Sequence, residues 1–148
     1  MTTFPAGPVL QQLDDGTRWQ LVEAYRYAWT EGGTNYRLTI RAGMVTDKAS
    51  VPELAWSVIG NHELTEAAAL AHDAGYGRAG RWGDLLEFQL GDEWVVGGPN
   101  WTRERVDRLF LRIMKESRIA RWKSALAYRA VRWFGADTWR RYAKIGAS

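Results

Sequence analysis

Only two histidines occur in the 148 residues, and one of them, His72, stands beside Asp73 near the end of an alanine-rich run, "EAAALAHDAGYG". Imidazole titrates near neutral pH, which makes it the usual side chain for moving a proton. On a helix, sequence neighbours point about 100° apart, so His72 and Asp73 cannot serve one ligand in the same way. Tyr76, at i+4 and i+3, shares a face with each. A second carboxylate, Asp107, falls in line with Phe110, Leu111 and Met114 on an apolar helical stripe. A buried carboxylate is costly unless paired and hydrogen-bonded. An imidazole N–H from His72 would satisfy it, fix the tautomer and leave the other ring nitrogen as a base. Arg103 and Arg108 offer a plain ion pair instead. The plainer reading of His72 and Asp73, a satisfied core histidine beside a solvated carboxylate, also stays open.

A third position lies in the loop "GMVTDKASVP". Asp47 follows a strand and precedes a helix, where a carboxylate and backbone carbonyls can face a ligand. With Asp73 it would suit a hard cation such as calcium, which takes oxygen ligands. Taken alone, Asp47 reads as an aspartate tying its own turn.

These residues need elements to hold them. "WQLV", "EAYRYAW" and "YRLTIRAG" alternate aromatic and β-branched residues as strands do, and "TEGGTN" reads as a hairpin connection. Ser50-Val51-Pro52-Glu53 has the form of a capping box, with Ser50 as N-cap, opening a short helix to about Ile59. Asn61 can cap the next helix, which ends at Gly75–Gly77. "DLLEFQLGDEWVVGG" gives two strands around Gly91-Asp92. Val106, Leu109, Phe110, Ile113 and Met114 then recur at helical spacing, and two more helices finish the chain. The expected fold is one α+β domain. An N-terminal antiparallel β sheet (about 8–45) precedes a helical core (about 50–146) with an inserted β hairpin (about 85–97).

The composition narrows the setting. There is no cysteine, hence no disulfide framework or thiolate metal site. No apolar run approaches the roughly 20 residues of a membrane span, and the first residues do not read as a signal peptide. Synthesis in a bacterial cytoplasm is the expectation. The net charge of +3 is unevenly spread. Residues 118–148 hold eight Lys/Arg against one Asp, or +7, which leaves −4 for the rest. Trp122, Trp133 and Trp139 are interleaved with those bases. Such a tail suits an anionic membrane surface. It equally suits tryptophans packed in the core under arginine stems. No recognised nucleic-acid motif accompanies the charges, so no specific nucleic-acid partner is expected.

The ordered set Thr46-Asp47-x-Ala49-Ser50-Val51-Pro52, His72-Asp73-x-x-Tyr76 and Val106-Asp107-x-x-Phe110, with a basic Trp-bearing tail, resembles a small domain family of unknown function found mainly in phages and prophages. His-Asp-x-x-Tyr, an inserted hairpin and Asp-x-x-Phe also resemble the core of secreted phospholipase A2 enzymes. That second resemblance implies a lipid ester hydrolase in which His72 activates water, Asp107 orients His72, and Tyr76 supports the network. It implies calcium on Asp73, with Asp47 as the loop ligand. "TDKASVP" stands where that family has a glycine-rich calcium loop. The alternative is a non-enzymatic virion or assembly protein that uses the same scaffold to contact other virion proteins.

Overall fold

The computed structural model describes residues 7–13, 16–46, 50–52, 55–57 and 63–147. In chain order the strands are β1 (Leu10–Gln12), β2 (Trp19–Leu21), β3 (Tyr25–Glu31), β4 (Thr34–Ile40) and β5 (Val45–Thr46). Helix α1 (Glu63–Gly77) and a 3-10 turn (Gly83–Leu85) lead to β6 (Leu86–Leu90) and β7 (Glu93–Val96). The chain ends with α2 (Arg103–Glu116), α3 (Arg121–Phe134) and α4 (Ala136–Ala147). The fold is mixed α+β with an N-terminal sheet, as expected. Glu53, Ile59 and Asn61, expected to bound the short helix and cap the next one, lie outside the described residues; 55–57 are helical.

All strand pairs are antiparallel, in two sheets ordered β1-β2-β5 and β3-β4-β6-β7. The turn of the β3–β4 hairpin is Gly32-Gly33, with φ of +57° and +80°. Both torsions lie in the left-handed region that a two-residue hairpin turn needs and that glycine adopts freely. Along β3, Tyr25, Tyr27 and Trp29 are buried while Arg26, Ala28 and Thr30 are exposed, so one face of the larger sheet forms a core wall. The expected hairpin, β6–β7, is inserted between α1 and α2. Its strand β6 pairs with β4, placing Phe88 opposite Tyr36, and extends the N-terminal sheet.

Helix α1 is the centre of the molecule. From Ala67 to Tyr76 every residue is buried except Asp73, which reaches partly to solvent. A helix apolar nearly all round must be covered nearly all round, and α2 and α4 both pack on it. Small side chains set the approach: a Cβ at Gly75 would lie 2.6 Å from Val106 Cγ1 of α2. Helix α2 is capped by Thr102, whose hydroxyl accepts from the Arg105 N–H at 3.2 Å. It buries Val106, Leu109, Phe110, Ile113 and Met114. Each such side chain contributes about 1.5–3 kcal/mol when fully buried. On that same face lies Asp107, fully buried.

Candidate functional site

Asp107 is held from three helices. Its Oδ1 accepts from His72 Nε2 at 2.7 Å and from the Tyr76 hydroxyl at 2.7 Å, both on α1. Its Oδ2 accepts from Arg132 Nη1 of α3 at 2.8 Å and lies 3.5 Å from Arg103 Nη1, one turn earlier on α2. Arg103 Nη1 also donates to the Val131 and Arg132 carbonyls, at 3.2 Å each. Those carbonyls end α3, where a cation complements the helix dipole. A carboxylate with no exposed surface thus has an imidazole, a phenol and two guanidiniums, as a buried charge requires.

Aromatic packing fixes the imidazole. The His72 ring lies 4.2 Å from Tyr76 and 5.0 Å from Phe110, centroid to centroid, and Trp139 of α4 meets Tyr76 edge-on at 5.1 Å. Gly135, between α3 and α4, is needed here, because a Cβ there would lie 2.4 Å from the Tyr76 hydroxyl oxygen. Burial pushes the Tyr76 phenol well above its ordinary value, and the Asp107 charge adds to this. The phenol is therefore a neutral donor. Burial is the largest single influence on the Arg132 guanidinium and pulls it down, but the hydrogen bond to Asp107 and the nearby charges, Asp107 first, together raise it.

The other nitrogen of His72 leads outward. Nδ1 lies 2.9 Å from Ser50 Oγ. The Ser50 hydroxyl also donates to Asp73 Oδ1, the Ser50 N–H reaches the same oxygen at 3.2 Å, and the Thr46 hydroxyl donates to Asp73 Oδ2. Since Asp107 accepts from Nε2–H, a neutral His72 presents Nδ1 as an acceptor. The single Ser50 proton then has two competing acceptors, Asp73 and His72, and can serve one at a time. Ser50 Oγ thus lies between the two carboxylate systems, in reach of His72 Nδ1 and of Asp73 Oδ1.

Ser50, Thr46 and Asp73 form part of the wall of a cleft of about 500 Å³. Arg18, Arg41 and Arg78 line it with positive charge, and Ile40, Met44, Leu85 and Tyr142 supply apolar surface. Arg41 pairs with Asp84. His72 itself has no exposed surface, and of the His72–Ser50 pair it is Ser50 that lines the cleft.

Of the residues singled out in the sequence, His72, Tyr76 and Asp107 are brought into one network. Asp73 joins it through Ser50. Asp47 lies outside the described residues. Among the described residues, no group of three or more His, Cys, Asp or Glu side chains could hold a metal. The two alternatives for Asp107 coexist, since histidine takes Oδ1 while Arg103 and Arg132 take Oδ2; Arg108 is exposed. Ser50, Thr46 and Arg132 also join this network, and sequence spacing alone does not place them there. Ser50 carried a signal, a hydroxyl at a helix start, but that signal pointed to capping. The tail divides: Trp139 packs on Tyr76, whereas Trp122 and Trp133 are 64% and 75% exposed. Among the described residues, no helix is long and apolar enough to cross a membrane.

No curated protein and no solved structure matches the chain. A family of proteins of unknown function, DUF1353, matches residues 19–131, a span that takes in Thr46, Ser50, His72, Asp73, Tyr76, Asp107 and the carbonyl of Val131. With most of its length and the whole His72–Asp107 pair inside that match, the chain belongs to the DUF1353 family.

Proposed function

We propose that the chain is an ester hydrolase in which His72 is the base, Asp107 orients it, and Ser50 carries the reacting oxygen. The observation behind this reading is the unbroken path Asp107 Oδ1, His72 Nε2, His72 Nδ1, Ser50 Oγ, at 2.7 and 2.9 Å, ending on a cleft wall. This is the arrangement of an activated hydroxyl nucleophile. Nδ1 takes the Ser50 proton as Oγ bonds to the ester carbonyl carbon. The alkoxy C–O bond then breaks, the departing alcohol takes the proton from Nδ1, and water releases the acyl group by the reverse proton path. Ser50 occupies the place at Nδ1 where a directly activated water would otherwise sit. Tyr76 holds Asp107 and touches no reacting atom. Three arginines beside an apolar wall fit an ester that joins an acyl chain to an anionic group, and phospholipids have both features.

A fluorophosphonate, which phosphonylates activated serines, tests the reading without knowledge of the natural substrate. Intact mass should show one adduct, lost in Ser50→Ala and His72→Ala. Hydrolysis of dispersed phospholipid should fall on the order of a thousandfold in Ser50→Ala. Absence of both adduct and hydrolysis in the unmutated protein sinks the proposal. Full hydrolysis by Ser50→Ala would instead return the role of nucleophile to water at Nδ1.

A second reading places a cation at Asp73. In its favour, the Asp73 carboxylate and the Thr46 and Ser50 hydroxyls make an all-oxygen set at the cleft, the donor type calcium takes. One carboxylate, with both oxygens already accepting, falls short of a complete set among the described residues, so no step is routed through the ion. Calcium should raise the melting temperature of the unmutated protein and not of Asp73→Asn; equal melting with and without calcium ends this reading. The non-enzymatic assembly protein is favoured by a different observation, the complete burial of His72 and Asp107. It gains if the serine stays inert.

A further inference from the structure

Helix α3 is amphipathic in an unusual sense. Ser124, Ala127, Ala130 and Val131 face inward, and the outward stripe is Trp122, Leu126, Arg129 and Trp133. At 100° per residue these four fall within about 60° of the circumference, on a line roughly 16 Å long. Trp122 is 64% exposed, Leu126 41% and Trp133 75%, and Phe134 beside them is 58% exposed. The helix carries four Lys/Arg and no acidic residue. The Lys123 ammonium lies over the Trp122 ring at 5.6 Å.

A monomer gains nothing by holding two tryptophans out in water, so this face asks for an occupant. Charge complementarity selects one. A helix lying in a bilayer interface puts Trp and Leu at the headgroup–acyl boundary and its Lys/Arg among anionic headgroups. Each basic residue near such a surface contributes to binding, and opposing carboxylates on the helix would repel it. We propose that α3 docks the protein in-plane on an anionic phospholipid surface, with Trp122 and Trp133 as the two anchors and Arg121, Lys123 and Arg129 meeting headgroups. The docking does not depend on the hydrolase reading, since no cleft residue takes part in it.

The test uses the full chain and vesicles of diether phosphatidylglycerol, whose ether bonds resist hydrolysis, so binding is read apart from turnover. At low salt the protein should sediment with these vesicles and the tryptophan emission should shift to shorter wavelength. Vesicles of diether phosphatidylcholine should bind at least tenfold more weakly. Trp122→Ser with Trp133→Ser should lose at least tenfold in binding at an unchanged melting temperature, and Arg121→Gln with Arg129→Gln should lose more at low salt than at high. No sedimentation with the anionic vesicles overturns the proposal. So does equal binding by the double tryptophan variant, which would leave only diffuse charge attraction. Concentration-dependent self-association that this variant abolishes, without vesicle binding, would assign the face to a second copy of the chain.

Discussion

Arg132 and Trp133 are neighbours on α3 with opposite surroundings. The arginine points inward to a fully buried carboxylate, and the tryptophan is 75% exposed. Ordinary surfaces do the reverse, with charge outside and large aromatics inside. Each inversion needs a partner. Inside, the chain supplies it: Asp107 has His72, Tyr76, Arg103 and Arg132. Outside, among the described residues, only Lys123 leans on Trp122. The buried inversion is therefore a property of the fold, and the exposed one is what the docking proposed for α3 would answer. Mutations on the two faces should separate cleanly into stability effects and association effects.

The largest effect is expected at Asp107. Asp107→Ala takes the acceptor from the Arg132 guanidinium, the Tyr76 phenol and the His72 imidazole N–H, and should cost about 3–5 kcal/mol in urea unfolding. A cost near zero would mean that solvent reaches the cluster and that the inside differs little from the outside. Next comes coupling across the helix pair. His72→Ala alone removes a donor from a buried carboxylate, but in an Asp107→Ala background that donor has nothing to satisfy. The double variant should thus cost about 0.5–3 kcal/mol less than the sum of the singles. Additive costs would detach His72 from Asp107.

Much of this inner site was legible because helical periodicity exposes anomalies. A carboxylate in line with Phe110, Leu111 and Met114 violates its stripe, and a histidine in the alanine run does the same one helix earlier. Two violations on neighbouring helices point at each other. Arg132 could not be found that way: it lies 25 residues beyond Asp107, and no local pattern says which helix meets which. Ser50 was legible as a hydroxyl at a helix start, but its place beside His72 was not, because it depends on a contact across 22 residues of chain. The hairpin's merger with the N-terminal sheet depends on the Tyr36–Phe88 register, a pairing across a long stretch of chain that alternation alone does not specify. For the tail, composition balanced membrane contact against core packing, and the structure divides the tryptophans between inside and outside.

A smaller effect sharpens the inside further, through pH. Burial pushes Tyr25 up to about 12, with the Glu116 charge adding, and pushes Tyr27 and Tyr76 higher still. A raised phenol favours the protonated form in the folded chain. Below the ordinary value of 10.0 both states hold the proton, and this stability is fully present. Above it the unfolded chain releases protons first, and each tyrosine costs about 1.4 kcal/mol per pH unit. Tyr76→Phe should be less stable at neutral pH, yet lose stability less steeply above pH 10, by one tyrosine's share. An unchanged slope would show that this phenol is not held buried beside the Asp107 charge.

The smallest effect on stability is expected at Trp133, and its smallness is the point. Large aromatic truncations in a core cost about 3–5 kcal/mol because they remove buried area and leave a cavity. Trp133→Ser should change unfolding by no more than about 0.5 kcal/mol, since a side chain three-quarters in water loses little when cut away. Trp139, half-buried edge-on against Tyr76, is the internal control: Trp139→Ala should cost clearly more, and the excess reads its packing on the network. If Trp133→Ser destabilised as much as Trp139→Ala, Trp133 would be part of the core, and the outer face of α3 would have nothing left to offer a partner. A near-silent Trp133 keeps the two faces distinct, with the inner one answering to the fold and the outer one free to be judged by what it binds.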